Sequence, residues 1–112
     1  MIKIEIKRNA RNNIIDFTVK GHAQADQPGE DIVCAAISAI VQTALFGLKK
    51  YLGLEFEYQI KDGFLRCLLL DELANDKEVK AILETMVIGL KETEKEYSQY
   101  INLTTEGGGK YV

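Results

Sequence analysis

Two side chains that can act together in catalysis lie twelve residues apart in the first third of the chain. They are His22, the only histidine, and Cys34, one of two cysteines. A cysteine thiolate is a strong nucleophile, and an imidazole is the side chain that most often serves as a general base near neutral pH. The segment between them contains Pro28 and Gly29, which favour a loop. This spacing permits a loop to bring a base and a nucleophile together.

Cys34 lies where an apolar helix is expected to begin. Asp31 precedes the run "IVCAAIS" and is predicted to be the helix N-cap, which makes Cys34 the third helical residue. Amides in a first turn are unpaired and the helix dipole is positive there, so this position favours a thiolate and can hold an oxyanion. On composition alone, a cysteine in such a run is more often a small buried helix residue than a nucleophile. The residues therefore leave both interpretations open for Cys34.

Three carboxylate side chains lie between His22 and Cys34 in the sequence. Asp31 can act only as a cap, or it can also orient His22, and Asp26 and Glu30 compete with it for that second role. The loop is predicted to form a lid over the site. Its residues are Ala23, Gln24, Ala25, Asp26, Gln27, Pro28, Gly29 and Glu30.

Ser38 and Cys67 complete the candidate residues. Ser38 follows Cys34 by one helical turn, so its hydroxyl can reach the thiol or bond back to the Cys34 carbonyl. Cys67 lies inside the apolar run "LRCLLL" and is predicted to be structural. Two cysteines 33 residues apart with one histidine match no structural zinc spacing. We therefore expect no metal and no cofactor.

Composition points to one globular domain. The 112 residues are 46% hydrophobic and 28% charged, with a formal net charge of −3. The chain has no basic cluster, which argues against direct nucleic-acid binding. "IKIEIK" at the start lacks the apolar core of a secretory signal, so we expect a cytoplasmic protein with reduced thiols. The uncharged stretch 32–48 is short for a membrane span and is interpreted as a buried helix.

Hydrophobic periodicity predicts an α+β fold. Alternating residues predict a hairpin from strands 2–7 and 14–20 and a second one from 54–60 and 64–70, the last strand being interior. Helices are predicted over 31–52 and from Asn75 or Asp76 to about Tyr97, with Asn75 and Glu78 spaced as a capping box. An edge strand over 100–105 follows. The order is β-β-α-β-β-α-β, with two helices on a mostly antiparallel sheet of about five strands.

The same patterns give the domain limits. We predict a single domain over 1–105 and a flexible glycine-rich tail over 106–112. Apolar side chains occur all round the first helix, so a second helix or a dimer interface has to cover part of it.

"GHA" at 21–23, Gly29, "DIVCA" at 31–35 and Ser38 together resemble the signature of the ribosomal-processing cysteine protease family Prp. The resemblance extends from the "IKIEI" strand through "LETMVIGLKETEKEY" to "INL" and ends at the glycine-rich tail. It implies a cysteine endopeptidase that removes the N-terminal extension of the precursor of large-subunit ribosomal protein twenty-seven. It also implies Cys34 as nucleophile, His22 as general base, a mobile loop over the site and a homodimer.

Two rival functions belong to other classes. One is a non-catalytic ribosome-assembly adaptor that binds the same extension. The other is a thiol redox sensor that uses Cys34, for which Cys67 is a poor resolving partner because of its apolar strand.

Overall fold

The structure is a computed structural model that describes residues 1–21 and 30–107. The strands are β1 (Ile2–Arg8), β2 (Ile14–Lys20), β3 (Glu57–Lys61), β4 (Phe64–Leu68) and β5 (Ile101–Gly107). The helices are α1 (Glu30–Phe46), α2 (Asp71–Ala74) and α3 (Lys77–Glu96), and a π-helical turn, Gly47–Tyr51, continues α1.

Within residues 1–21 and 30–107, five strands form one sheet in the order β3-β4-β2-β1-β5. Neighbouring strands are antiparallel except β5, which pairs parallel to β1. This confirms the predicted α+β class and mostly antiparallel sheet. It also confirms both hairpins, the interior place of β4 and the edge place of β5.

Alternation along the strands places the core on one face of the sheet. Ile2, Ile4 and Ile6 of β1 are buried, and Phe17 of β2 lies opposite Ile6 in the register. Both long helices pack on this face, because a sheet whose apolar side chains alternate has to bury one side.

Helix α1 packs against α3, and α3 also contacts β2 and β5 of the sheet. The stretch Asp31–Tyr51 is long and apolar enough to cross a membrane by length and composition. Its buried side chains nevertheless belong to the same core as the sheet, and we interpret it as a core helix. These side chains are Val33, Ile37, Val41, Ala44, Leu45 and Leu48.

The segment between β4 and α3 differs from the sequence predictions in two respects. A third, four-residue helix, α2, occupies the stretch between the predicted strand 64–70 and the predicted second helix, so "two helices" was an undercount within the described residues. The capping box was misplaced: Asn75 ends α2, while the Asp76 carboxylate accepts from the amides of Glu78 and Val79 and begins α3. Aspartate and asparagine both suit an N-cap, and the presence of α2 decides between them.

Strand β5 is longer than predicted. It continues through Glu106 and Gly107, and Gly107 lies opposite Arg8 in the parallel register with β1. The backbone of these two residues can pair although their side chains contribute no apolar surface. Residues 108–112 of the predicted tail lie outside the described residues, so the predicted domain limits stay a prediction.

Candidate active site

A groove of about 280 Å³ lies between the start of α1 and the turn that joins β3 to β4. Cys34 and Ser38 of α1 lie along one wall, and residues 60–65 of the β3–β4 hairpin form the other. Ile37 and Val41 contribute an apolar floor from α1. Cys34 is therefore at the surface of a groove and not inside the core, which removes the main objection to a reactive thiol.

The helix begins one residue earlier than the sequence suggested. Glu30 is the first residue of α1, so Asp31 lies within the first turn and is not its N-cap. Glu30 likewise belongs to α1 and not to the predicted lid loop. Cys34 becomes the fifth helical residue, one turn into the helix. The amides without intrahelical partners then precede Cys34, because the amide of the fifth residue pairs with the carbonyl of the first.

The Asp31 carboxylate contacts one of these early amides. Its Oδ1 atom accepts a hydrogen bond from the Ile32 backbone N–H at 3.0 Å. Asp31 is exposed at the helix start, where a negative charge is stabilised by the helix dipole. This contact gives Asp31 a local role in holding the first turn of α1, directly before Cys34.

Ser38 faces the groove one turn beyond Cys34 and is half-buried. The sequence left two contacts open for its hydroxyl, the Cys34 thiol and the Cys34 carbonyl. Within residues 1–21 and 30–107 neither hydrogen bond is present, whereas Thr85 and Thr93 of α3 do bond back to carbonyls four residues earlier. The Ser38 hydroxyl is thus oriented toward the groove without such a back-bond.

His22 and residues 23–29 lie outside the described residues, so the predicted base and most of the predicted lid are not placed. Gly21, the residue before His22, does line the groove. Its amide donates to the Gly63 carbonyl at 3.0 Å. The chain therefore enters the segment that contains His22 from the groove that contains Cys34.

A side chain at position 21 would not fit the backbone. Gly21 has φ of +152°, and an added Cβ would lie 3.0 Å from Ile2 Cα and 3.2 Å from Ile2 Cγ1. Glycine thus allows β2 to end directly against β1 beside the groove.

Cys67 differs from Cys34 in burial and in its place in the fold. It is fully buried in β4 opposite Phe17, and no disulfide joins it to Cys34. Burial, with a smaller contribution from the nearby Asp16 carboxylate, raises the pKa of the Cys67 thiol to about 12. An inaccessible neutral thiol cannot serve as a resolving cysteine, which argues against the redox-sensor alternative.

Sequence reasoning missed the wall of the groove opposite α1. It includes Ile60, Lys61, Asp62 and Phe64, with Gly63 in the turn. Only the pairing of β4 with β2 brings this turn beside α1, and long-range pairing is not encoded in local periodicity. Gln42 of α1 was also missed, although its spacing from Cys34 and Ser38 was a usable signal. Within the described residues, no group of three or more metal-ligating side chains is present.

Comparison with known proteins defines the class. The chain, whose structure places Cys34 on a groove at the start of a core helix, matches a family of cysteine proteases. The family model described as cysteine protease Prp matches residues 1–102, and the chain belongs to this family.

Named relatives agree with the family over nearly the full length. The ribosomal processing cysteine protease Prp of Staphylococcus aureus is 34% identical over 109 residues, covering 92% of this chain and 97% of that protein. The Bacillus subtilis protein of the same name is 28% identical, covering 94% and 97%.

Solved structures share the fold. The S. aureus Prp protease in complex with a substrate peptide superposes with a TM-score of 0.86 at 28% identity, covering 95% of this chain and all of that one. The same protease with a covalently linked product peptide gives 0.78 at 30% identity, with the same coverage. SMU.848 from Streptococcus mutans gives 0.85 at 21% identity, covering 96% and 95%, which shows the fold alone.

Proposed function

We propose that this protein is a cysteine endopeptidase that removes the N-terminal extension of the precursor of large-subunit ribosomal protein twenty-seven. The observation that carries the proposal is the position of Cys34 on a groove at the start of α1. It is supported by membership of the Prp family and by the peptide complexes of the S. aureus relative.

The lining of the groove offers both kinds of contact that an extended peptide can use. Its floor is apolar and its walls carry polar groups, the combination that binds side chains on one side and backbone on the other. A ribosomal precursor would be met in the cytoplasm, where we place the reaction. The proposal requires a peptide partner and no direct contact with nucleic acid.

Cys34 is the proposed nucleophile and His22 the proposed general base and acid. The Cys34 thiolate attacks the scissile carbonyl carbon, and unpaired first-turn amides of α1 stabilise the oxyanion. The C–N bond then breaks, and the imidazolium of His22 gives its proton to the leaving amine. Water attacks the resulting thioester while His22 accepts a proton from it, which releases the acid product and regenerates the thiol. Asp31 and Ser38 are proposed as supporting residues.

The direct test is mass spectrometry of the extended precursor after incubation with the protein. We expect a single cut by the unmodified protein and none by Cys34→Ala or His22→Ala. Cys67→Ala is the matched control and should still cut, because Cys67 is buried away from the groove. Cleavage by Cys34→Ala would contradict the proposal. An intact precursor that co-elutes with every variant would favour the adaptor.

We also propose that the protein acts as a homodimer. An open, mostly apolar groove of about 820 Å³ runs between the outer sides of α1 and α3, and Tyr51 at its edge is 82% exposed. Exposed apolar grooves with a polar rim are often sites of protein–protein contact. The groove also includes the part of the apolar first helix that α3 leaves uncovered, and the sequence predicted that a second helix or a dimer interface has to cover such surface. A second copy of the same chain is the occupant that the family resemblance implies.

Sedimentation equilibrium tests this oligomeric state. Thr85 lines the outer groove, and Thr85→Arg would place a charge in it. We expect the unmodified protein to sediment as a dimer and Thr85→Arg as a monomer. Gln59→Arg, on the opposite face of the sheet, is the control and should remain dimeric. A monomeric unmodified protein would contradict the dimer and leave the peptidase proposal intact.

A further inference from the structure

Three polar side chains follow the wall of α1 that faces the groove. Cys34, Ser38 and Gln42 are spaced four residues apart and all line the groove. Residues four apart on a helix lie on the same face, about 6 Å from one another along the axis. The wall therefore carries a row of polar groups that starts at the proposed nucleophile.

The amide of Gln42 is not used by the fold. Gln42 is half-buried, and within the described part of the chain its side chain makes no hydrogen bond. Its neighbours in the groove include the apolar Val41, Ile60 and Leu65. Because the fold uses neither the donor nor the acceptor of this amide, a ligand in the groove that supplies both an acceptor and a donor can pair with it without breaking a bond within the protein.

An extended peptide supplies both groups at the required interval. Residues in an extended chain advance about 3.3 Å each, and every second residue presents the same side. Two residues thus span a little over 6 Å, close to the separation of successive groups in the row. Gln42 lies eight helical residues from Cys34, about 12 Å along the axis, which corresponds to about four peptide residues.

We propose that Gln42 binds the backbone of the substrate peptide, with its amide paired to the N–H and C=O of one residue about three to five positions from the scissile bond. This deepens the proposed function and rests on it. Gln42 would select substrate peptides that are extended and long enough to reach it. It would not select among peptide side chains, because it pairs only with the peptide backbone. The opposite wall at Lys61 and Asp62 confines the peptide to this path.

Binding to the inactive enzyme tests the role of Gln42 apart from cleavage. The probe is a fluorescent synthetic peptide that spans the precursor extension and its first ten mature residues, titrated by anisotropy. The proteins are Cys34→Ala and the double variant Cys34→Ala/Gln42→Leu. Leucine keeps the approximate size of glutamine and removes both hydrogen-bonding groups. We expect Kd to rise about fivefold to tenfold, the effect of losing one or two hydrogen bonds.

The control is Cys34→Ala/Gln59→Leu, a glutamine on the opposite face of β3. Its Kd should equal that of Cys34→Ala. Thermal unfolding of all three proteins shows whether any change in Kd comes from a loss of folded protein.

A scan with N-methylated peptides locates the contact. Each peptide carries one backbone N-methyl group, which removes one N–H donor. We expect one position, three to five residues from the cut, where methylation weakens binding to Cys34→Ala and has no further effect on Cys34→Ala/Gln42→Leu.

Three outcomes would overturn the inference: equal Kd values for the Gln42 and Gln59 variants, a methylation effect that persists in Gln42→Leu, or no binding of the peptide to Cys34→Ala. Failure of the unmodified protein to cut the precursor would instead count against the proposed function. The two failures are therefore distinguishable.

Discussion

The backbone N–H of Gly21 donates to the carbonyl oxygen of Gly63 at 3.0 Å. This bond joins the end of β2 to the turn between β3 and β4, which is the wall of the groove opposite α1. Because His22 follows Gly21 directly, the bond fixes the point from which the proposed base departs. The bond thus holds the backbone of Gly21 beside the groove that Cys34 lines.

Gly21→Ala should lower both stability and peptidase activity. The added Cβ would lie 3.0 Å from the Ile2 backbone, and φ of +152° is disfavoured for alanine. We expect the free energy of unfolding to fall by about 1–3 kcal/mol, the usual cost of such backbone strain. Urea denaturation measures this loss, and precursor cleavage measures the effect on the site.

Gly53→Ala is the matched control for this substitution. Gly53 also has a positive φ of +67°, but no heavy atom lies within 4 Å of an added Cβ. It should lose about 1 kcal/mol from strain alone and keep its activity. Equal activity losses in the two variants would contradict a local role for Gly21 at the groove.

The two cysteines should react with alkylating reagents at very different rates. Cys34 lines the groove and is half-buried, whereas Cys67 is fully buried with a raised pKa. Iodoacetamide at pH 8 should label Cys34 in the folded protein, and Cys67 only after denaturation. Peptide mapping by mass spectrometry distinguishes the sites. Labelling of Cys67 at a similar rate in the folded protein would contradict the burial of β4.

The buried Cys67 thiol should also make the protein less stable at alkaline pH. Its pKa is about 12 in the folded state against an ordinary value of 9.0, so above pH 9 the unfolded chain loses a proton that the folded chain keeps. The contribution of the Cys67 thiol to the free energy of unfolding is fully present below pH 9. It falls by up to about 1.4 kcal/mol per pH unit as the pH rises toward 12.

Urea unfolding under reducing conditions at pH 8 and pH 10.5 measures this effect. Cys67→Ala removes the group, so the stability difference between the unmodified protein and the variant should shift by about 2 kcal/mol between the two pH values. Lysine and tyrosine titration affects both proteins and cancels in the comparison. A difference that does not change with pH would show that the thiol titrates normally.

The sequence was sufficient to predict those strands and helices whose own hydrophobic periodicity shows which side is buried. Strict alternation in β1 predicted a strand, and the repeat of Val79, Leu83, Met86 and Leu90 predicted the buried side of α3. Helix α2 was not predicted, because four residues are too few to show the hydrophobic period of a helix. Its presence then determined which of two suitable residues capped α3.

The candidate site was only half predictable for a similar reason. Cys34 could be located because a helix start has a local signature. The opposite wall at Ile60 and Phe64 depends on β4 lying next to β2, a pairing between distant segments. The apolar floor looked like ordinary core in the sequence, since Ile37 and Val41 serve both the core and the groove.

A bidentate ion pair between Arg8 of β1 and Glu84 of α3 should contribute to stability. Arg8 Nη1 lies 2.6 Å from Glu84 Oε2 and Nη2 lies 3.0 Å from Oε1, and the Arg8 side chain is only 12% exposed. Glu84→Gln keeps the shape and removes the charge, leaving a largely buried guanidinium without its carboxylate. We expect a loss of about 1–2 kcal/mol in urea denaturation, discounted for the partial exposure of Glu84.

Glu92→Gln provides the matched comparison for this ion pair. Glu92 contacts Lys95 at 2.9 Å within α3, but both side chains are well exposed, so about 0.5 kcal/mol or less should be lost. High salt should reduce the small effect at Glu92 more than the effect at Glu84, because screening acts mainly on exposed pairs. Equal losses in the two variants would show that the link between β1 and α3 rests on apolar packing and not on this ion pair.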